Sequence, residues 1–220
     1  MLFRSMLTVS NISCVRGHRP LFAPVSFSLQ TGQALHLEGD NGIGKTSLLR
    51  IICGLSPADG GEVLWNGNPF DKRYPEALAS FRATLCYMGH HLSLKDELTA
   101  IENLLFDAQL SGRNLSYDKA MDALQKMGLK NRAHLPLRVL SQGQKRRTAL
   151  ARLSVTNAKL WVLDEPFVAL DAQSFNLLQD ILVHHVEQGG MLLYTSHQIV
   201  ALSQSNGHTV DVQSVRLVAA

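Results

Sequence analysis

The fold is decided by the stretch Gly39-Asp40-Asn41-Gly42-Ile43-Gly44-Lys45-Thr46, which fits the pattern G-x-x-x-x-G-K-[ST]. The apolar run at residues 34–37 is typical of a buried strand, and the apolar spacing of residues 45–52 favours a helix. Glycines let successive backbone N–H groups curl around a phosphate, and the start of the helix adds the positive end of its dipole. The stretch therefore predicts a phosphate-binding loop; the alternative is a glycine-rich turn that fits by chance.

Side chains at two chain positions have the chemistry that a nucleoside triphosphate needs. Lys45 would reach the β- and γ-phosphates, and the Thr46 hydroxyl would coordinate Mg²⁺. Residues 159–163 form a predicted buried strand that ends in Asp164 and Glu165, and ligands of open parallel sheets sit at such strand ends. Asp164 would hold Mg²⁺, and Glu165 would act as general base toward the attacking water. The alternative is an acid pair that only caps the following turn.

A histidine follows a further predicted strand. His197 comes shortly after the apolar run 191–195 and could touch the γ-phosphate from that strand end. A lone histidine is more often structural, so the spacing alone leaves both interpretations open.

Apolar runs alternate with helical patterns along the chain, which predicts an α/β fold with a mostly parallel sheet. The predicted strands and hairpin are residues 7–14, 22–29, 34–37, 62–67, 84–88, 159–163 and 191–195. The predicted helical stretches are residues 45–52, about 99–156 and about 173–187. We expect one nucleotide-binding domain over residues 1–220, with a core of residues 1–88 and 157–220 and a helical lobe inserted at about 89–156.

The composition is that of a globular protein. Of the 220 residues, 45% are hydrophobic and 18% are charged, which excludes disorder, collagen and a coiled coil. No apolar run approaches the roughly 18 residues that cross a bilayer, and no export signal is visible, so we expect a cytosolic chain. The net charge of +3 is too mild to indicate nucleic acid, and the three widely separated cysteines predict reduced core thiols.

A third motif identifies a family. Leu140-Ser141-Gln142-Gly143-Gln144 resembles the LSGGQ signature of ATP-binding-cassette (ABC) ATPases, and the segment 169–171 resembles their D-loop with its Asp171. Asp164, Glu165 and His197 fall where this family has its acids and its switch histidine. The resemblance implies a RecA-like P-loop NTPase fold with an antiparallel β subdomain, ATP as substrate and Mg²⁺ as cofactor. It implies these ATP-binding residues: Gly39, Asp40, Asn41, Gly42, Ile43, Gly44, Lys45, Thr46, Ser47 and Arg16.

The signature segment implies a homodimer. A loop at a helix start is a second anion cradle, because its free N–H groups need an acceptor. In this family it caps the ATP held by the partner's phosphate loop, and one chain has one loop of each kind. The resemblance therefore implies that Ser141, Gln142, Gly143 and Gln144 contact ATP across the dimer.

Three departures from the family pattern occur. Gln142 replaces the second signature glycine, a tolerated variation that leaves Ser141 and Gly143 in place, and the other two affect the ATP site. Arg16 aligns with the aromatic residue that usually stacks on adenine, so stacking would fall to a guanidinium or be absent. His90 aligns with the usual Q-loop glutamine, and a neutral imidazole there can still join a water network near Mg²⁺. Both residues therefore belong to the predicted site.

Several stretches resemble one branch of the family, the ATPases of bacterial cytochrome c maturation systems; they are residues 87–91, 98–104, 140–147, 160–167 and 195–198. This resemblance implies a peripheral subunit on the cytoplasmic face of the inner membrane. Its partners would be the integral membrane permease subunits of the cytochrome c maturation complex, for haem export or release of a haem-loaded chaperone. The alternatives are another small ABC exporter, an ABC-type nucleic-acid or ribosome factor, and a P-loop kinase.

Two weaker features have simple interpretations. Adjacent histidines at residues 90–91 and 184–185 point apart on a helix or strand, which disfavours joint ligation of a metal or haem. The basic run at residues 145–147 favours a solvated helix face over nucleic acid or anionic lipid.

Overall fold

A computed structural model of the chain describes residues 6–196, 201–204 and 207–220. Its strands are β1 (Met6–Ser13), β2 (Val15–Arg16), β3 (Arg19–Pro20), β4 (Val25–Gln30), β5 (Ala34–Glu38), β6 (Gly60–Trp65), β7 (Asn68–Pro69), β8 (Leu85–Met88), β9 (Leu160–Leu163), β10 (Met191–Thr195), β11 (Leu202–Ser203), β12 (Thr209–Val210) and β13 (Val212–Arg216). Its α-helices are α1 (Lys45–Ile52), α2 (Pro75–Ala83), α3 (Ala100–Leu110), α4 (Tyr117–Lys126), α5 (Gln142–Ala151) and α6 (Ala172–Glu187). Short 3-10 helices cover Lys130–Arg132, Leu137–Val139 and Arg152–Val155.

The chain divides into two compact units. The first comprises Met1–Gly89, Ala158–Pro166 and Leu182–Ala220, and the second comprises His90–Asn157 and Phe167–Ile181. Both sheets described below belong to the first unit, whereas the second unit contains α3, α4 and α5.

A parallel sheet forms the centre of the first unit. Within the described residues its strand order is β13-β5-β10-β9-β8, and every neighbouring pair is parallel. β9 and β10 are buried along their whole length, as expected for parallel strands covered on both faces. The register pairs Tyr194 with Leu163, so the next residues along the two strands, Thr195 and Asp164, lie at the same edge of the sheet.

A second sheet is antiparallel, with the order β4-β1-β6-β7 in the described residues. The sequence predicts a partner strand for β1 at residues 22–29, but the observed strand begins at Val25. Pro24 explains the difference, because it has no N–H to donate to a strand ladder. Phe22 is fully buried all the same, and it packs from the loop before the strand.

One hydrophobic core joins the two sheets and α1. Leu48 and Leu49 of α1 share it with Leu7 of β1, Val162 of β9 and Leu193 of β10, and all five are fully buried. Burial of each such side chain contributes about 1.5–3 kcal/mol. Since β5 and α1 are both held by this core, the loop between them is anchored at both ends.

The helices of the second unit begin and pack through satisfied polar groups. Thr99 caps α3 in a reciprocal capping box with Glu102. The buried Asn103 donates from Nδ2 to the carbonyls of Lys95, Leu98 and Thr99. A helical lobe with these contacts lies within the stretch for which the sequence predicts helices.

Trp161 of β9 lies flat against His185 of α6, with ring centroids 3.7 Å apart and planes 4° apart. Burial lowers the pKa of His185 to about 4, so the ring is neutral near pH 7. The neighbouring His184 is exposed, so the two adjacent histidines lie in different environments. In the described ranges no group of three or more His, Cys, Asp or Glu side chains could hold a metal ion.

Two features bear on expectations from composition. Cys14 and Cys53 are buried, as predicted, and burial raises the pKa of both thiols, whereas the third cysteine, Cys86, is only half-buried. Among residues 6–196, 201–204 and 207–220, no helix combines the length and apolar character needed to cross a bilayer.

Candidate nucleotide-binding site

The predicted phosphate loop connects β5 to α1 through glycines in the left-handed region. Gly42 has φ 79° and Gly44 has φ 110°. A Cβ on Gly44 would lie 2.9 Å from Cδ1 of Phe22, whereas a Cβ on Gly42 would meet no atom within 4 Å. Gly44 is therefore required by both conformation and space, and the loop surface around Gly42 is open for a ligand to approach.

The start of α1 has no side-chain cap. Gly44 occupies the N-cap position, and the first turn contains no acidic residue. The first N–H groups of a helix have no partner within the helix, and they bind anions readily together with the helix dipole. The structure of the loop therefore fits a phosphate group.

Lys45 turns its ammonium group back into this loop. Its Nζ donates hydrogen bonds to the carbonyl of Gly39 at 2.6 Å and to that of Asp40 at 3.1 Å, and the residue is 6% exposed. The positive charge is thus held among the loop carbonyls at the start of α1.

A chain of hydrogen bonds joins α1, β9 and β10. Thr46 donates from Oγ1 to Oδ2 of Asp164 at 2.6 Å, and Thr195 donates from Oγ1 to Oδ1 of Asp164 at 2.7 Å. The N–H of Glu165 donates to Oγ1 of Thr195 at 2.8 Å. The sequence-predicted residues Thr46, Asp164 and Glu165 are therefore brought together, and Thr195 lies between the two acids.

Thr195 is a site residue to which none of the sequence motifs assigns a role. The residue ends strand β10, which pairs directly with β9, the strand that carries the acids. The signal that could have found it is the parallel register, which sets residue 195 opposite residue 164 once β9 and β10 are paired. Sequence alone does not give that pairing.

The side-chain oxygens of Thr46 and Asp164 could serve as ligands of a magnesium ion. Mg²⁺ prefers oxygen ligands, and in nucleotide sites it is bound by one or two protein groups together with phosphates and water. A hydroxyl and a carboxylate oxygen that already lie 2.6 Å apart offer such a pair. The described structure thus fits the ion without a dedicated cluster of carboxylates.

The signature segment lies in the second unit, at the start of α5. Ser141 caps the helix: its Oγ accepts from the N–H of Gln144 at 3.2 Å, and Oε1 of Gln144 accepts from the N–H of Ser141 at 2.9 Å. The sequence predicts free N–H groups at this helix start, but the N–H groups of Ser141 and Gln144 are already paired. Gln142 is exposed, and a Cβ on Gly143 would meet no atom within 4 Å.

The D-loop residue Asp171 also lies in the second unit and precedes α6. Its Oδ1 accepts from the N–H of Ser174 at 2.8 Å, and this hydrogen bond holds the pKa of the carboxyl below its usual value. Nη1 of Arg147 lies 3.7 Å from Oδ2 of Asp171, and Lys145 forms an ion pair of 2.7 Å with Asp96. The expected solvated basic face is therefore wrong for Lys145 and Arg147, which are mostly buried against acidic partners.

The remaining predicted residues are separate from these contacts. Arg16 is exposed on the β2–β3 hairpin of the first unit, where its guanidinium donates to the carbonyl of Val15 at 3.3 Å. His90 is exposed and begins the second unit, where its ring contacts that of His91. His197 lies outside the described residues.

Comparison with known proteins identifies the class. The family model "ABC transporter" matches residues 22–168. A putative ABC transporter ATP-binding protein from Pyrococcus furiosus superposes with a TM-score of 0.79 at 23% identity, over 98% of this chain and all of that one. A dimeric ATP-binding cassette in a post-hydrolysis state, bound to ADP and Pi, gives a TM-score of 0.77 at 23% identity over 88% of each chain. The predicted α/β P-loop NTPase fold is confirmed, and the chain is an ABC-type ATPase, which binds and hydrolyses ATP.

Curated relatives narrow the class further. The cytochrome c biogenesis ATP-binding export protein CcmA of Nitrosomonas europaea is 48% identical over 203 residues, which is 92% of this chain and 93% of the relative. The protein of the same name from Dechloromonas aromatica is 49% identical over 195 residues, or 89% of this chain and 94% of the relative. The chain belongs to the family of cytochrome c biogenesis ATP-binding export proteins.

Proposed function

We propose that this chain is the ATP-hydrolysing subunit of an ABC exporter for cytochrome c biogenesis, acting in haem export or in release of a haem-loaded chaperone. The relatives named above support the biological role. The observation that carries the enzymatic part is the hydrogen-bonded set Thr46, Asp164, Thr195 and Glu165 beside the uncapped start of α1.

Each residue of this set has a role in the proposed hydrolysis. The loop N–H groups of residues 39–47 and the ammonium of Lys45 bind the phosphates, and the adenine ring of ATP lies toward Arg16. Thr46 and Asp164 would hold Mg²⁺, and the bound ion would neutralise charge on the phosphate oxygens. Glu165 takes a proton from the attacking water, while His197 contacts the γ-phosphate and His90 joins the surrounding water network.

The complete site needs two copies of the chain. One protomer supplies the phosphate loop, and its partner supplies Ser141, Gln142, Gly143 and Gln144, with Asp171 in the same interface. The N–H groups of Ser141 and Gln144 are paired with each other's side chains, so a partner's nucleotide that needs either N–H must displace part of the capping box at the start of α5.

The proposed location is the cytoplasmic face of the inner membrane. There the chain works as a peripheral subunit with the integral membrane permease subunits of the cytochrome c maturation complex. The names of the relatives support an export role.

The proposal is tested with Glu165→Gln and Ser141→Ala in an ATPase assay, with the mass of the nucleotide-bound protein measured by light scattering. Glu165→Gln keeps the volume but removes the base, so turnover falls about 10²- to 10⁴-fold while ATP stays bound and the dimer accumulates. Ser141→Ala lowers turnover because the partner contact is lost.

Two results would contradict the proposal. Turnover of Glu165→Gln equal to that of the unmodified chain would remove Glu165 from the role of base. Unchanged phosphoryl transfer in Ser141→Ala would favour a P-loop kinase, which has no use for residues 140–144. Asp118→Asn, an exposed change in the first turn of α4, serves as the control and leaves turnover unchanged.

A further inference from the structure

Thr195 places a hydroxyl between the two acids of the site at a position where strand packing alone has no use for one. The residue is fully buried at the end of β10, whose other side chains are Met191, Leu192, Leu193 and Tyr194. A buried hydroxyl is unfavourable unless it is hydrogen-bonded, and valine has nearly the same shape without that demand. The contacts that the hydroxyl makes therefore indicate what the threonine is for.

Both hydrogen-bonding directions of this hydroxyl are in use. It has one proton, which it donates to Oδ1 of Asp164 at 2.7 Å. Its oxygen accepts the backbone N–H of Glu165 at 2.8 Å. A single atom thus links the carboxylate of one acid to the backbone of the next.

The first consequence concerns the orientation of the Asp164 carboxylate. The terminal torsion of an aspartate is broad, so a carboxylate held at one oxygen still has rotational freedom. Here Thr46 donates to Oδ2 and Thr195 donates to Oδ1, while the N–H of Asp164 donates to the carbonyl of Met88 at 2.8 Å. Since Asp164 is only 4% exposed, its carboxylate is held by these protein groups and not by solvent.

The second consequence concerns the backbone of Glu165. This residue has φ 52°, in the left-handed region that residues other than glycine rarely adopt. Such a conformation persists only where the surrounding structure determines it. The hydrogen bond from the Glu165 N–H to Thr195 is a restraint of this kind, because it holds the peptide that sets the direction of the Glu165 side chain.

We propose that Thr195 is a positioning residue for ATP hydrolysis: its hydroxyl holds the Asp164 carboxylate and the Glu165 backbone in the geometry that the reaction needs. This inference rests on the proposed function, since it assigns Thr195 to the same site. It adds a residue from β10 to a set that otherwise comes from α1 and the end of β9.

The test compares Thr195→Ala with Thr195→Ser. Both variants lose the γ-methyl group, and they differ only by the hydroxyl. In Thr195→Ala we expect kcat to fall about tenfold or more and KM for ATP to rise by a smaller factor, whereas in Thr195→Ser both stay within about threefold of the unmodified chain. Tenfold in kcat corresponds to about 1.4 kcal/mol in the activation free energy.

A binding measurement provides a readout that does not depend on turnover. The affinity for a fluorescent ATP analogue is measured in EDTA and in excess Mg²⁺. In EDTA all variants bind equally, because the loop N–H groups and Lys45 are intact. The gain in affinity on adding Mg²⁺ shrinks in Thr195→Ala and is retained in Thr195→Ser, because the hydroxyl of residue 195, and not its methyl group, holds Oδ1 of Asp164.

Thr84→Ala is the matched control. Its hydroxyl donates to the carbonyl of Phe81 at 2.7 Å, just before the start of β8 and away from the acids. We expect a lower melting temperature with unchanged kcat and an unchanged Mg²⁺ effect. If Thr195→Ala does not fold, Thr195→Val, which keeps the volume, replaces it in the comparison with Thr195→Ser.

The outcomes separate this inference from the function on which it rests. Equal kcat values and equal Mg²⁺ effects in the alanine and serine variants would overturn the positioning role, because the hydroxyl would then be irrelevant. If Glu165→Gln abolishes turnover at the same time, the proposed function stands without Thr195. If the unmodified chain hydrolyses no ATP, the proposed function fails, and the inference fails with it.

Discussion

Two helix starts in this molecule are assigned to phosphate groups, and they are built in opposite ways. α1 begins at Gly44, which offers no side chain to its first N–H groups. α5 begins at Ser141, which forms a reciprocal capping box with Gln144. The first start leaves donors without a side-chain acceptor, and the second satisfies two of its donors from its own sequence.

The two loops differ in how many of their donor groups are free before a ligand binds. At α1 the glycines hold the backbone in a conformation open to a phosphate, and only the ammonium of Lys45, bonded to two loop carbonyls, must turn to a new acceptor. At α5 a ligand that uses the N–H of Ser141 must first displace the side chain of Gln144. The phosphate loop is therefore preorganised, and the signature segment exchanges one acceptor for another.

The largest expected effect comes from filling the cradle at α1. Gly44→Ala adds strain at φ 110° and a contact of 2.9 Å with Phe22, so we expect a loss of about 2–5 kcal/mol in unfolding free energy together with loss of ATP binding. Gly42→Ala is the matched control, because its φ of 79° brings strain but no contact within 4 Å. Urea denaturation measures the unfolding free energy of both variants. Equal losses in Gly44→Ala and Gly42→Ala would show that the contact with Phe22 contributes nothing.

A smaller effect is expected from removing the charge inside that cradle. Lys45→Ala deletes an ammonium group that donates to two loop carbonyls and is proposed to bind the phosphates. ATP binding should weaken by about 1.5–3 kcal/mol, the range for a charge-assisted hydrogen bond. Isothermal titration measures it, with the exposed Lys72→Ala as control. An affinity equal to that of the unmodified chain would contradict the role of Lys45.

The smallest effect concerns the capping box at α5. Ser141→Ala and Gln144→Ala should each reduce the unfolding free energy by about 0.5–1 kcal/mol, because each removes one half of a reciprocal cap. The double variant should lose less than the sum, by about 0.5 kcal/mol, since the two halves are coupled. Strictly additive losses, measured by thermal or urea denaturation, would mean that the box is not a unit.

The sequence predicts well those elements whose burial is continuous. β5, α1, β9 and β10 coincide closely with predicted segments because apolar residues occupy nearly every inward position. α2 is not predicted, since only Leu78 and Phe81 of its nine residues are buried and its periodic signal is weak. β13 is missed because it is an edge strand with exposed and half-buried residues.

Residues of the candidate site are likewise predictable only where their signal is local in the sequence. Motifs whose spacing is local, such as residues 39–46 and the pair Asp164 and Glu165, are readable directly from the chain. Thr195 is not, because its role depends on the parallel pairing of β9 with β10, which brings it to Asp164, 31 residues earlier in the chain. The capping partner of Ser141 follows a local rule, Ser-x-x-Gln, and could have been read from the sequence.

The stacked pair Trp161 and His185 makes the strand of the acids optically observable. Nε1 of Trp161 is buried without a hydrogen-bond partner among the described residues, and Trp65 is the other of the two tryptophans in the sequence. Indole emission responds to a nearby ring that gains charge, and His185 gains its proton only near pH 4. At neutral pH the indole of Trp161 therefore has a neighbouring ring of constant charge. Replacing Trp65 with phenylalanine leaves Trp161 as the single tryptophan, three residues from Asp164. Its fluorescence can then follow the binding of nucleotide without a label.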